Sequence, residues 1–168
     1  MQLIEFFLWK NQPCNENNNL ITKIGITINH LEPVILYLAI YFFSEKKLPN
    51  WVHYIMIVYV LSAVIRDVSR INLYKDSCTN VTNESSPHLH WKWNEGTYST
   101  LFYLLFLAVL IILSINGIYN GYHMSFLITI AYILSYLIYG DKHAIGAMWC
   151  FAAAFVPIIT PFFYKINL

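Results

Sequence analysis

The chain has 168 residues, of which 58% are hydrophobic, 17% aromatic and 11% charged, with a net charge of +1. A typical soluble domain is about 25% charged, so this chain has too little polar surface to cover its own core, and a soluble globular domain is excluded. The same apolar content excludes disorder, and the near-zero charge leaves no footprint for nucleic acid.

The first ten residues, Met1 to Lys10, read MQLIEFFLWK. They are too short to span a bilayer and lack the basic start of a signal peptide. Gln2, Glu5 and Trp9 recur at i, i+3 and i+7, which predicts a helical stub that packs through this face. The alternative is a helix lying on the membrane surface. Five later stretches are long and apolar enough to cross: 24–43, 51–68, 97–115, 122–139 and 144–163. About 20 apolar residues of helix cover a hydrocarbon core of about 30 Å. Backbone groups in lipid must pair within the segment, so these are helices, and the alternation of a membrane barrel is absent. The predicted fold is an all-α polytopic transmembrane bundle in one domain, 1–168, with five spans and the stub. Connections are short except for 69–96, the one extramembrane stretch able to build structure.

Ionisable groups inside spans are costly and mark candidate sites. The first span carries Asn29, His30 and Glu32, followed by Pro33. The second carries Ser62, Arg66 and Arg70 at i+4 spacing, with Asp67 beside them, and the fifth opens with His143. Asn29, His30, Glu32, Arg66, Asp67 and His143 all fall in the half of the bundle nearest the 69–96 loop, here called side 1. This predicts a polar chamber open to that side. Pro33 has no N–H to give the Asn29 carbonyl, which frees that oxygen for a ligand or side chain. Arg66 is the expected partner of Glu32, and His30 is expected to point elsewhere, toward the fifth span near Trp149. A structural ion-pair network is the plainer reading of the same residues. His88 and His90 could join His143 at a metal, but no ligand spacing supports one, and neither metal nor cofactor is assigned. Trp91 and Trp93 suit an aromatic belt.

Orientation is contested. Seven of the ten Lys and Arg lie on side 1 (Lys10, Lys23, Arg66, Arg70, Lys75, Lys92, Lys142), which favours the cytosol. Against this, Cys14 and Cys78 lie on side 1 and suit a disulfide, and Asn80-Val81-Thr82 and Asn83-Glu84-Ser85 are glycosylation patterns. Arg66 and Arg70 continue a span and weigh little as loop charges, so side 1 is taken as lumenal or exterior. Cys150 lies in the last span near Gly146, Ala147, Ala153 and Ala154, where small residues let helices pack closely.

Four segments carry a resemblance: MQLIEFFLW, HLEP in the first span, LHWKW before the third, and GAMWCF in the fifth. Together they resemble a family of uncharacterised seven-helix membrane proteins found mainly in large DNA viruses. The resemblance implies that the stub is the end of the family's second helix and that the five spans are its third to seventh. The chain would then be an N-terminally shortened form. The family pattern has Gln where this chain has Glu32, and the family brings no activity with it.

Three classes of function stay open: a channel, transporter or receptor-like bundle using the side 1 chamber; a structural membrane protein acting through helix packing; and a metal-dependent membrane hydrolase. No Gly-rich phosphate loop, Gly-x-Ser-x-Gly or Cys-x-x-Cys occurs, so an enzyme is disfavoured. A retinal protein needs a lysine within its last helix, and Lys165 lies only at the end of this one. Expected partners are the lipid bilayer and an ion or small ligand, with self-association left open.

Overall fold

A computed structural model of the protein describes residues 2–70, 78–81, 89–91, 97–139, 149–150, 152 and 155–156. The elements are α1 (Gln2–Lys10), α2 (Glu16–Phe43), α3 (Asn50–Ser69), β1 (Asn80–Val81), β2 (Leu89–His90), α4 (Thr97–Gly117) and α5 (Gly121–Tyr139). Among the described residues, four helices are long and apolar enough to cross a membrane: Glu16–Phe43, Asn50–Ser69, Ser99–Gly117 and Gly121–Ile138. The chain is thus an all-α protein of the integral membrane class. Five spans were expected; the fifth, 144–163, lies almost wholly outside the described residues. Its described members Trp149 and Val156 are buried in the bundle core, and Cys150 packs against them with its thiol free.

The first span begins earlier than its hydropathy suggests. Asn15 caps α2, its side chain accepting from the Asn18 N–H at 2.9 Å, and the helix runs for 28 residues. Glu16 in the first turn suits the positive end of the helix dipole. Asn17 to Asn19 read as loop because Asn favours caps and turns over helix interiors. Here Asn18 is held in helix by partners far along the chain.

α4 is the hub of the bundle. Phe102, Phe106, Val109 and Leu113 recur at i, i+4, i+7 and i+11, and all are buried. Against this stripe lie Val52, Met56 and Tyr59 of α3, Ile40 of α2, and Ile128 and Ala131 of α5. The rings of Phe106 and Tyr132 meet Trp149 edge-on at 5.6 and 6.0 Å. The outer faces keep large apolar side chains exposed, such as Ile65 at 67% and Phe126 at 64%, as a lipid-facing surface requires.

α4 and α5 form a hairpin at the opposite end of the bundle from side 1, here called side 2. Asn120 takes the left-handed conformation with φ 59°, which Asn tolerates better than most residues, and Gly121 follows. A Cβ on Gly121 would collide with the Ser114 carbonyl, so the turn requires glycine there. Ser44 donates to the Gly117 carbonyl at 2.7 Å and fastens the end of α2 to the same corner.

Side 1 carries a small extramembrane pad. β1 and β2 pair antiparallel, Asn80 with His90 and Val81 with Leu89. Leu89 and Trp91 are buried with Leu8 of α1 and Ile26 of α2. Trp91 therefore plugs the gap between α1 and α2, where a Cβ on Gly25 would come within 3.3 Å of it, and it is no member of a lipid-facing belt. The disulfide Cys14–Cys78, Cα atoms 5.5 Å apart, ties the start of α2 to the pad. The stub packs on α2 as a helix, but only partly through the expected face. Glu5 is buried, Leu8 is fully buried, and Trp9 is 46% exposed. The inward stripe is Ile4, Glu5 and Leu8, because the groove it fills is lined by Ile21, Ile26 and Trp91.

Candidate functional site

The polar residues of α2 and α3 converge at one level of the bundle. His30 is 4% exposed and Arg66 is 7% exposed. His30 Nδ1 lies 3.0 and 3.1 Å from the two carboxylate oxygens of Asp67. Its Nε2 lies 2.5 Å from Arg66 Nη1. Arg66 Nη2 donates to Ser99 Oγ of α4 at 3.0 Å. The result is a line of groups, Asp67–His30–Arg66–Ser99, that crosses three helices.

Bonding capacity settles the state of the imidazole. Guanidinium only donates, so His30 Nε2 must accept from it. Nδ1 then carries the hydrogen and donates to Asp67, which makes His30 neutral in this arrangement. The charges of Arg66 and Asp67 balance across the ring between them. Aromatic rings complete the surroundings. Arg66 Cζ sits 4.6 Å from the Phe102 centroid and 5.7 Å from that of Tyr103, within cation–π range. His30 meets Phe102 edge-on at 5.0 Å.

Pro33 bears on this level as well. Tyr59 of α3 donates to the His30 carbonyl at 2.8 Å, next to the Asn29 carbonyl that Pro33 leaves without its usual N–H. Asn29 is buried and donates through Nδ2 to Tyr103 Oη at 2.8 Å.

Asn29, His30, Arg66 and Asp67 are therefore brought together, whereas Glu32 is not. The expected Glu32–Arg66 approach is replaced by His30–Arg66, and His30 faces α3 and α4 in place of Trp149. The reason is rotational. At about 100° per residue, Glu32 lies nearly opposite His30 on α2, and only one of the two can face Arg66. Trp149 donates instead to the Ile128 carbonyl at 3.4 Å. His143, Asn83 and His88 lie outside the described residues. Asn80 is described and half-buried in β1. No group of three or more His, Cys, Asp or Glu able to hold a metal occurs among the described residues.

Sequence reasoning missed Ser99, Tyr59 and Tyr103, because hydroxyls at helical spacing carry no signal of their own in an apolar span. It also missed a second polar knot at the foot of the pad. Asn18 Nδ2 donates to the carbonyls of Asn11 at 2.5 Å and Thr79 at 2.8 Å. Asn18 Oδ1 accepts from the Thr79 N–H at 3.0 Å and from Thr22 Oγ1 at 3.3 Å. All four bonding positions of this fully buried amide are thus used. Val81 N–H donates to Gln12 Oε1 at 2.7 Å and extends the knot to the strand.

Glu5 is the misfit of the side 1 half. Its Oε1 is buried without a hydrogen-bond partner among the described residues, and burial pushes the carboxyl up to about 7. In the comparisons with known proteins, no family model, no curated protein and no solved structure matches the chain.

Proposed function

We propose that this integral membrane protein is a transporter- or receptor-like bundle whose working centre is the Asp67–His30–Arg66–Ser99 line. One observation carries the reading: a buried, titratable imidazole bridges a carboxylate and a guanidinium across three helices. The bridge holds only while His30 is neutral. A proton arriving on Nε2 puts two donors face to face and adds a second cation beside Arg66. The imidazolium then pairs with Asp67, and Arg66 must turn away toward Ser99 and the outside of α3. A proton, or an anion that draws Arg66 off, would thus shift α2 against α3 and α4. Isolated ionisable groups in membrane helices are rare outside such roles.

The test is flux. Protein reconstituted in vesicles loaded with a pH-reporting dye should relax an imposed pH gradient faster than empty vesicles, and His30→Gln should remove the difference. Gradients that decay alike in all three refute transport.

A second reading is favoured by the closure of the same bonds. They join α2, α3 and α4, so the line also works as a structural clamp, and the protein would act by packing with partners. Absence of flux together with loss of stability in His30→Gln selects this reading. The metal-dependent hydrolase has no supporting cluster among the described residues.

We further propose that side 1 faces the lumen or exterior. The Cys14–Cys78 bond supports this, since disulfides persist in oxidising compartments. Expression with microsomes should give a glycan-dependent gel shift that Asn80→Gln diminishes. Membership of the viral seven-helix family is proposed on the four quoted segments alone.

A further inference from the structure

Glu5 is buried at the seam of α1 and α2, and its Oε1 has no hydrogen-bond partner among the described residues. A buried polar atom in that state is costly unless something fills it. The register of the two helices shows what Glu5 faces. Ile4 lies against Gly25, and seven residues on, Asn11 accepts from Asn18, seven residues back. The helices are therefore antiparallel, with α1 starting deep in the bundle and ending at side 1. Glu5 stands level with Ile24, and Glu32 lies eight residues further in, about 12 Å along the axis. Glu32 shares the Gly25 face of α2, since seven residues are close to two turns. Cα–Cβ bonds tilt toward the N-terminus of their helix. Glu5 thus leans inward from α1, Glu32 leans back toward side 1 from α2, and the two carboxyls converge beside the start of α1.

Neither carboxyl is neutralised by a side-chain cation. Glu32 makes no hydrogen bond or ion pair among the described residues. Burial favours the neutral acid of Glu5, the amino end of the chain opposes this, and the Glu32 carboxylate reinforces it. The other titratable groups on the elements around α1 are Cys150, Tyr103 and His90. Cys150 of the last span stands within electrostatic reach of both carboxylates. Tyr103 of α4 is engaged by Asn29, and His90 belongs to the pad, paired with Asn80. Lys10 is turned to the Phe6 ring at 4.7 Å.

We infer that Glu5 and Glu32 form a proton-binding site, which holds one proton between two carboxyls at the inner end of α1. Two like charges in a low-dielectric seam disfavour each other, so one group keeps its proton while the other ionises, and the pair carries a single negative charge. Two carboxyls are too few ligands for a metal ion, and no group of three or more His, Cys, Asp or Glu able to hold one occurs among the described residues. The site lies nearly opposite His30 on α2 and does not depend on the line through Arg66.

The test is labelling of the full chain in phosphatidylcholine vesicles with dicyclohexylcarbodiimide, an apolar reagent that adds to protonated carboxyls from the lipid phase. Peptide mass spectrometry then locates the adduct. The expected result at neutral pH is one adduct per chain, on Glu5 or Glu32, fading as the pH is raised. Asp67, which accepts from His30, and the exposed Glu16 and Glu45 should stay unmodified. Glu5→Gln and Glu32→Gln should each lower the midpoint pH of labelling at the remaining carboxyl by about one unit, the strength at which two sites titrate as a pair. The disulfide, read as a gel shift on reduction, checks that each variant is folded, and the wild-type results decide alone where a variant fails that check. Absence of an adduct on both residues at neutral and mildly acidic pH overturns the proposal, as does labelling spread evenly over all carboxyls. An unchanged midpoint in either folded variant also overturns it, because coupling between two sites is reciprocal. So does protection by sodium ions at fixed pH, which would make the pair a metal-cation site.

Discussion

Removing His30 should cost more than removing the arginine it serves. Arg66 is buried, and one of its terminal nitrogens ends on His30 Nε2. His30→Leu leaves that cation in place without the imidazole acceptor and removes the imidazole N–H from Asp67. Breaking a buried charged network by one partner costs about 3–5 kcal/mol. Arg66→Met removes the charge itself. It forfeits a charge-assisted hydrogen bond of about 1.5–3 kcal/mol and a cation–π contact of about 0.5–2 kcal/mol. It also relieves the desolvation of the guanidinium, and methionine refills the space beside Phe102. The expected net loss is about 1–2 kcal/mol, because apolar replacement of buried ions is often close to neutral. The double variant should then be more stable than His30→Leu alone, a coupling that only contact between the two side chains produces. Cys150 supplies the assay. It is the one cysteine outside the disulfide and packs in the core, so its reaction with a thiol-sensitive dye during a detergent unfolding titration reports opening of the bundle. Equal losses in the two single variants, or strict additivity in the double, would falsify the neutral-imidazole account.

Four shorter predictions follow from other parts of the molecule. Asn18→Ala strands a Thr79 N–H and two carbonyls at about 1–3 kcal/mol each before relaxation, so the same titration should show a loss of several kcal/mol; a change under about 1 kcal/mol, the net value of a single hydrogen bond, contradicts it. Gly121→Ala drives a methyl into the Ser114 carbonyl and should abolish recovery of folded protein, while Gly121→Ala at wild-type yield would show that the hairpin can open without cost. Glu5 titrates near 7 when folded against an ordinary 4.5, so the folded state binds more protons between those values and stability falls as pH rises through that window. Glu5→Gln should flatten this slope, worth about 3 kcal/mol at most, and an unchanged slope refutes the assignment. Cys78→Ser should lower stability by about 2–4 kcal/mol, and a smaller effect under oxidising conditions than under reducing ones would count against the bond.

Depth was legible in the sequence and rotation was not. Hydropathy locates the four described spans to within a few residues at most ends, because their apolar length is fixed by the bilayer. It also places Asn29, His30, Arg66 and Asp67 at one level, since each lies a known number of residues from a span end. Which of His30 and Glu32 faces α3 depends on how the α2 surface seats against Tyr59 and Phe102. That is a packing outcome with no local signature. The start of α2 was hidden for a related reason. Asn18 and Thr22 look like loop residues until Thr79, some 60 positions later, supplies their bonds. The cysteine pair was readable because only two of the three cysteines fall outside apolar runs.

The lengths of the spans carry a consequence for the membrane itself. Asn50–Ser69, Ser99–Gly117 and Gly121–Ile138 have 20, 19 and 18 residues. At 1.5 Å per residue they reach about 27–30 Å. An endoplasmic reticulum bilayer has a hydrocarbon thickness of about 27 Å, and a sterol-rich plasma membrane about 32–33 Å. These three spans are therefore shorter than the thicker hydrocarbon core by about 2–6 Å, whereas Glu16–Phe43, with 28 residues, reaches about 42 Å and exceeds either. With tight turns at side 2, these helices cannot lengthen by unwinding, so the thicker membrane would have to thin around them. That thinning carries an elastic cost of a fraction of a kcal/mol per ångström, which three short helices and one long one would impose unevenly around the bundle.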